Sequence, residues 1–453
     1  SIRRSSPPVM PPTSNHAYLE STGISTVLAE AVAGILRERP ADPIEALAER
    51  LKAHKHKSPS SSPLDDEEAR KDEKPIIEHA RAVELAKELY GLTVIPGSLK
   101  DLDSYDDRNF YFRATHDRPQ LADPADAHAA DGGAFHFILK VHNGVESLNS
   151  GFIECQNQAM AAVRASGVWC PRALPDVDGR LISFAPSPLA GGTIREHAVR
   201  LLPFKPAGLM GGVVATADLL RQVGVATAKV SAALLLFDHP ASHRTFIWDL
   251  AQTAAVRPLV THLEPERQQL ISAVLDEFES RVLPRASDLR AAVVHGDVND
   301  QNVLVASSPG GGGDEVVGVI DFGDMCRSWL INEIAIAAAY AVIALHYETK
   351  DDEKAAAGKP KALSEVAACV AMVSSYASTM KAQGMPLIEA EWVVLPTLIA
   401  CRIAMSLCIG AYSSAKDPTN EYLKLTLLPG LTALRNLRAT PADELMRALR
   451  SGA

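Results

Sequence analysis

The feature that most restricts what this chain can be is a pair of acid-bearing, β-like runs near residue 300. The first reads VVHGDVNDQNVLV (293–305) and the second VVGVIDFGDMCRSW (316–329), with a glycine-rich insert between them. Each run delivers a carboxylate at the end of, or just after, a strand: Asp297 in His295-Gly296-Asp297, and Asp321 in Asp321-Phe322-Gly323-Asp324. Asn302 follows the first acid within the same run. Phosphoryl transfer from a nucleotide needs one carboxylate to accept or orient a hydroxyl proton, and a carboxylate plus an amide to hold Mg²⁺ on the phosphates. Asp297 fits the first role; Asn302 and Asp321 fit the second. Either run alone would read as a hairpin with acidic turn residues, but the two together, in this order, point to that chemistry.

Composition narrows the setting. A chain of 453 residues has room for two or three domains, and 47% apolar with 22% charged residues is an ordinary globular balance. The net charge of −10, with no basic stripe, argues against a nucleic-acid groove. Six scattered cysteines without a C-x-x-C pair read as buried free thiols in a reducing compartment such as the cytoplasm. No uncharged apolar run reaches the roughly 18 residues a membrane span needs, so none is expected. The start, SIRRSSPPVMPP, has no apolar core and does not read as a secretory signal.

Residues 14–53 form the first expected unit. Ile24, Val27, Leu28, Ala31, Ile35 and Leu36 recur at helical spacing. Asp42-Pro43-Ile44-Glu45 has the order of an N-cap, a first-turn proline and a capping-box acid for a second helix. Two such short amphipathic helices need a partner, most simply a second copy. Residues 54–75 are Ser/Pro-rich and then charged, without apolar periodicity, and read as a disordered linker.

From 76 to 203 one helix precedes a set of strands; from 204 to 453 the pattern is mainly helical. Ser104 and Tyr105 lie in a polar turn between two strands, where a phosphate-covering loop would sit. Lys140 ends an apolar strand, FHFILKV, and a lysine there is costly unless paired. Glu154, early in the next helix, is the partner expected for it, and Leu202 opens the connector LPFKP, where a nucleotide base would bond backbone groups.

This order of strand lysine, helix glutamate, connector, HGDxxxxN and DFGD resembles the aminoglycoside-phosphotransferase-like superfamily, small-molecule relatives of protein kinases. SYDDRNF, IECQNQAM, VRLLPFKPAG, HRTFIWDL, HGDVNDQNVL, VIDFGDM and CRIAMSLCIGAYSSAKDPTNEYL are similar to the hydroxylysine kinases across roughly 76–440. The resemblance implies an α+β, two-lobed protein-kinase-like fold, with an antiparallel N-lobe at 76–203 and a helical C-lobe at 204–453. It implies a GTP- or ATP-dependent, Mg²⁺-dependent kinase acting on 5-hydroxylysine or a related amino alcohol. Asp297 would be the base, Asn302 and Asp321 the metal ligands, and Lys140 with Glu154 the phosphate-positioning pair. Asp324 and Glu333 lie just beyond and are candidate contacts for a substrate ammonium.

A second resemblance covers YLESTGISTVLAEAVAGILRERPADPIEALAERL (18–51), which is similar to the docking-and-dimerisation hairpin of RIIα-like and Dpy-type proteins. It implies a homodimer, an amphipathic helix of an anchoring protein as partner, and a ciliary or axonemal location as one alternative to the cytoplasm. The competing function is a scaffold subunit whose kinase-like domain is structural or ligand-sensing. All the expected catalytic positions are filled, which favours an active enzyme.

Overall fold

The computed structural model describes residues 63–118, 121, 133–307, 313–347, 363–416 and 426–453, and before them only positions 32, 42–44 and 47. The paired-helix reading of 14–53 lies outside the described residues, except that the Ile44 amide donates to Asp42 Oδ1 at 3.1 Å, an N-cap contact. Residues Glu67–Ala453 fold as one compact unit.

Its first half is an antiparallel sheet. The strands are β1 (Thr93–Val94), β2 (Lys100–Leu102), β3 (Arg108–Thr115), β4 (Phe135–Val141), β5 (Ser183–Pro188) and β6 (Ile194–Pro203). They are ordered β1-β3-β4-β6-β5, with β2 also paired to β3. Alternation along β3 and β4 sends Phe110, Phe112, Ala114, Phe137, Leu139 and Val141 to one face. These pack on Ala82, Leu85, Ala86 and Tyr90 of the helix His79–Tyr90. The opposite face carries a row across three strands, because the register places Asn109 beside Lys140 and Lys140 beside Arg200. The two-residue period therefore puts the lysine on the cleft side rather than in the core.

After β6 the chain crosses through residues 204–207 to β7 (Gly208–Leu209). That strand joins a second antiparallel sheet, β10-β9-β7, built with β9 (Val303–Ser307) and β10 (Asp314–Val319). A third ladder pairs β8 (Ala291–Val294) with β11 (Cys326–Trp329). Residues 295–302 thus run from β8 to β9, and residues 320–325 from β10 to β11. Two short ladders force the two acidic loops to lie side by side.

Helices make up the second half, centred on Glu389–Lys416. By length and composition this helix could cross a membrane, but 89% of its apolar window is buried inside the protein. It is the core helix of the lobe, with one charged residue, Arg402, midway along it. All six cysteines are free and buried. The α+β, two-lobed kinase-like fold expected from the sequence is the fold found.

The linker expected at 54–75 is corrected in its second part. Pro63–Asp72 is a helix, and Arg70 is 8% exposed. It lacks an apolar stripe, which is why its pattern reads as linker; it is held by polar contacts instead. Glu68 meets Tyr412 and Lys416, Arg70 meets Asp106 and Glu146, and Lys71 meets Tyr105 and Ser413.

Candidate active site

The loop after β8 is shaped by one glycine. Gly296 has φ 79°, and a Cβ there would lie 2.8 Å from the Asp324 carbonyl oxygen, so only glycine lets the two acidic loops pass this closely. His295 is fully buried. Its Nε2–H donates to the Ile320 carbonyl (3.1 Å), and its Nδ1 accepts from the Asp297 amide (3.2 Å). Burial pushes the imidazole down to about 4, so it is a neutral brace between the loops.

Glu333 does not face substrate. It is fully buried in the first turn of the helix Asn332–Ala344 and accepts from the amides of His295 (2.6 Å) and Gly296 (3.3 Å). Burial pushes its carboxyl up to about 7 against those two bonds. The substrate-contact expectation is corrected: helical phasing points this acid back under the catalytic loop.

Asp297 is held by three donors. Asn302 Nδ2 lies 2.7 Å from Oδ2, while Asn299 Nδ2 (2.9 Å) and Arg402 Nη2 (2.9 Å) reach Oδ1. Burial raises the carboxyl above its usual range; Arg402 opposes this and the nearby Asp321 adds to it. Arg402 is 1% exposed, and its Nη1 donates to the Trp248 carbonyl at 2.7 Å. Sequence reasoning missed Arg402. Its only signal is a lone arginine inside a 28-residue apolar helix, where an unpaired charge would be costly.

Asp321 is half-exposed and has a left-handed backbone, φ 61°. Left-handed non-glycine residues cluster at functional sites, where the surroundings hold the strain. Its Oδ1 accepts from the Gly323 amide (3.1 Å) and lies 4.0 Å from Lys140 Nζ, which holds the carboxylate below its usual range. Asn302 and Asp321 both line the cavity. Asn302 commits its Nδ2 to Asp297, leaving its amide oxygen for a cation. Two hard oxygens of this kind suit Mg²⁺.

Lys140 does not pair with Glu154. Its Nζ lies 2.8 Å from Asp107 Oδ2, an acid also fixed through Oδ1 by the Asn143 amide (2.8 Å) and side chain (3.0 Å). Burial works against the ammonium, but Asp107 and Asp321 outweigh it and raise it above the usual lysine range. Asp107 lies two residues before Asn109, the cross-strand neighbour of Lys140, and so sits diagonally beside the lysine on the same face. Glu154 is exposed and, among the described residues, accepts only from Gln158 (3.3 Å), because its helix buries Phe152, Ile153, Cys155 and Gln156 instead. A second buried acid at this corner is Glu146, in a short helix Gly144–Leu148, bonded to His142 at 3.1 Å.

A cavity of about 1370 Å³ joins these groups. Lys140, Asp297, Asn302, Asp321 and Asp324 line it, as do Ser104, Tyr105 and Leu202, the expected nucleotide contacts. The model of the phosphotransferase enzyme family matches residues 101–369. The chain belongs to this family. The phosphotransferase is 30% identical over 383 residues to hydroxylysine kinase of Danio rerio, covering 83% of this chain and 96% of that protein. It is 30% identical over 375 residues to hydroxylysine kinase of Xenopus laevis, covering 80% and 90%. Among solved structures, it shares the fold of an amicoumacin kinase with a TM-score of 0.53 at 14% identity, covering 83% of this chain and 96% of that one. The phosphotransferase is therefore a small-molecule kinase that uses a nucleotide donor and phosphorylates a hydroxyl group. Arg70 and Arg402, both lining the cavity, fall outside the matched family span.

Proposed function

We propose that the chain transfers the γ-phosphoryl group of GTP or ATP, with Mg²⁺, to the hydroxyl of 5-hydroxylysine or a closely related amino alcohol. The observation that carries this reading is the acidic pair in the cavity. Asp324 is raised well above the usual carboxylate range, by burial first and then by the charge of Asp297. Arg70, Arg402 and Arg244 offset part of this, but two carboxylates so placed still ionise together only at a cost. A bound ammonium next to the reacting hydroxyl relieves this, so an aminoalkyl group and an ionised Asp297 favour each other. The likeness to hydroxylysine kinases along most of the chain supports the same substrate class.

In this reading Asp297 aligns the hydroxyl and takes its proton, held in place by Asn302 and Arg402. Asn302 and Asp321 would hold Mg²⁺, which neutralises charge on the donor phosphates. Lys140, fixed by Asp107, offsets charge on the transferring group in a loose transition state. A turnover screen with GTP and ATP against 5-hydroxylysine, ethanolamine, choline and homoserine tests the assignment. Hydroxylysine should lead by about tenfold or more in kcat/KM, the worth of one contact of about 1.4 kcal/mol. Preferred turnover of choline or homoserine would sink it.

Arg402→Gln tests how the base is tuned. The guanidinium favours the ionised carboxylate, so its loss raises Asp297 further, and the protonated, inactive form persists to higher pH. The acid limb of the kcat/KM profile should therefore move up in pH relative to wild type. An unmoved limb would count against the Arg402–Asp297 coupling.

We also propose that residues 14–53 make the chain a homodimer and dock it on an amphipathic helix of an anchoring protein, in the cytoplasm or a cilium. This rests on the sequence resemblance. Light scattering that shows a monomeric full chain would refute it.

A further inference from the structure

Kinases commonly cover the donor phosphates with a glycine-rich loop. Here the corresponding residues 103–107 contain no glycine, and the loop is tied down by side chains from the segment before it. Lys74 Nζ donates to the Ser104 carbonyl at 2.7 Å. Lys71 Nζ donates to the Tyr105 hydroxyl at 2.7 Å. Arg70 Nη1 lies 3.4 Å from Asp106 Oδ2 and 3.5 Å from Glu146 Oε1.

The same segment also reaches the helical lobe. Lys71 Nζ donates to Ser413 Oγ at 3.1 Å, and the Tyr105 hydroxyl lies 2.7 Å from that same oxygen. Glu68 accepts from Tyr412 and Lys416. These three residues end the helix that carries Arg402, the partner of Asp297. One short polar helix thus links the loop on the phosphate side to the helix that holds the catalytic acid. Its docking depends on ion pairs and hydrogen bonds rather than an apolar face, and the partly exposed Glu68–Lys416 pair can be broken and remade at modest cost, whereas the buried Arg70 pairs hold more firmly.

We propose that Glu67–Asp72 is a clasp across the catalytic cleft and that Arg70 is a positioning residue for phosphoryl transfer. The proposal rests on the kinase activity that family membership gives. Arg70 is buried, lines the cavity, and stacks 4.8 Å from the Phe246 ring centroid. By holding Asp106 it sets the loop whose next residue, Asp107, fixes Lys140. By holding Glu146 it orders the His142–Arg200 corner, where Arg200 Nε donates to His142 Nε2 at 3.0 Å. The closed clasp aligns Lys140 for transfer; the open clasp lets nucleotide enter and leave.

The test uses the full chain with Arg70→Ala, Arg70→Lys and Lys71→Met. The readouts are kcat, KM, equilibrium binding of a fluorescent nucleotide, its release rate, and the denaturation midpoint. Arg70→Ala should lower kcat by about 10- to 100-fold, the scale of a misplacement near 1 Å, while nucleotide affinity stays close to wild type; the midpoint should fall as well, because a buried pair loses one partner. Arg70→Lys should recover part of the loss. Lys71→Met, which cuts the clasp away from the phosphates, should speed nucleotide release. The proposal is overturned if kcat of Arg70→Ala stays within about twofold of wild type. Equal kcat losses in the Ala and Lys variants, or unchanged release from Lys71→Met, overturn it as well. Wild-type turnover in the same assay separates a failed clasp from a failed kinase reading.

Discussion

Asp297→Asn should leave nucleotide binding near wild type and lower kcat by about 10²- to 10⁴-fold, the usual contribution of a positioned general base. Asparagine keeps the shape of the side chain, and its Oδ1 can still accept from Asn302 or Arg402, the donors that reach the carboxylate at 2.7 and 2.9 Å. What it loses is the ability to take a proton and the negative charge that orients the hydroxyl. Loop geometry should survive, because Gly296, His295 and Glu333 shape it through backbone contacts. Single-turnover kinetics with nucleotide titration would separate the two effects. Turnover within about tenfold of wild type would mean that alignment alone, without a base, accounts for the rate.

The two acidic loops were legible because strand, turn and acid recur in a fixed order, and the β8–β11 and β9–β10 ladders convert that order directly into proximity. Lys140 was legible for a similar reason: a charged residue in an apolar alternating strand must find a partner. Which acid pairs with it was not. Chain order and early helix position favour Glu154, but a helix has several faces, and the phase that buries Phe152 and Gln156 exposes Glu154. Asp107 could have been found only from strand register, which pairs Asn109 with Lys140 and is not written in either strand alone. Glu333 failed in the same way, since its helix is buried all round and no apolar stripe shows which side an acid faces. Arg70 was hidden more deeply. A helix held by charge rather than by a hydrophobic face has no periodic signature, and its composition is that of a linker.

The pairing of Lys140 is where the structure departs most from the sequence reading, and Asp107→Ala tests it directly. Lys140 and Arg200 face each other across β4 and β6, so the corner holds two cations, Arg200 buried and Lys140 largely covered. Asp107, 5% exposed at its side chain, acts on both, with Asp321 and Glu146 adding to it. Removing it takes away the direct partner of Lys140, and deleting one partner of a buried pair costs about 3–5 kcal/mol. The denaturation midpoint should fall clearly, and nucleotide affinity and kcat should fall together because Lys140 is no longer aimed. Asp107→Asn separates the two functions of this acid: its amide can still accept from Asn143 but presents no charge to Lys140, so it should recover stability in part and catalysis less. Glu154→Gln is the control, an exposed change expected to stay within about 0.5 kcal/mol of wild type with unchanged kinetics. If Glu154→Gln were the damaging substitution and Asp107→Ala the silent one, Lys140 would answer to the helix and not to the loop. The clasp would then lose the route from Arg70 through Asp106 to Asp107 and keep only the one through Glu146 to the His142–Arg200 corner. The two experiments therefore constrain each other: a silent Asp107→Ala predicts a smaller kcat loss for Arg70→Ala.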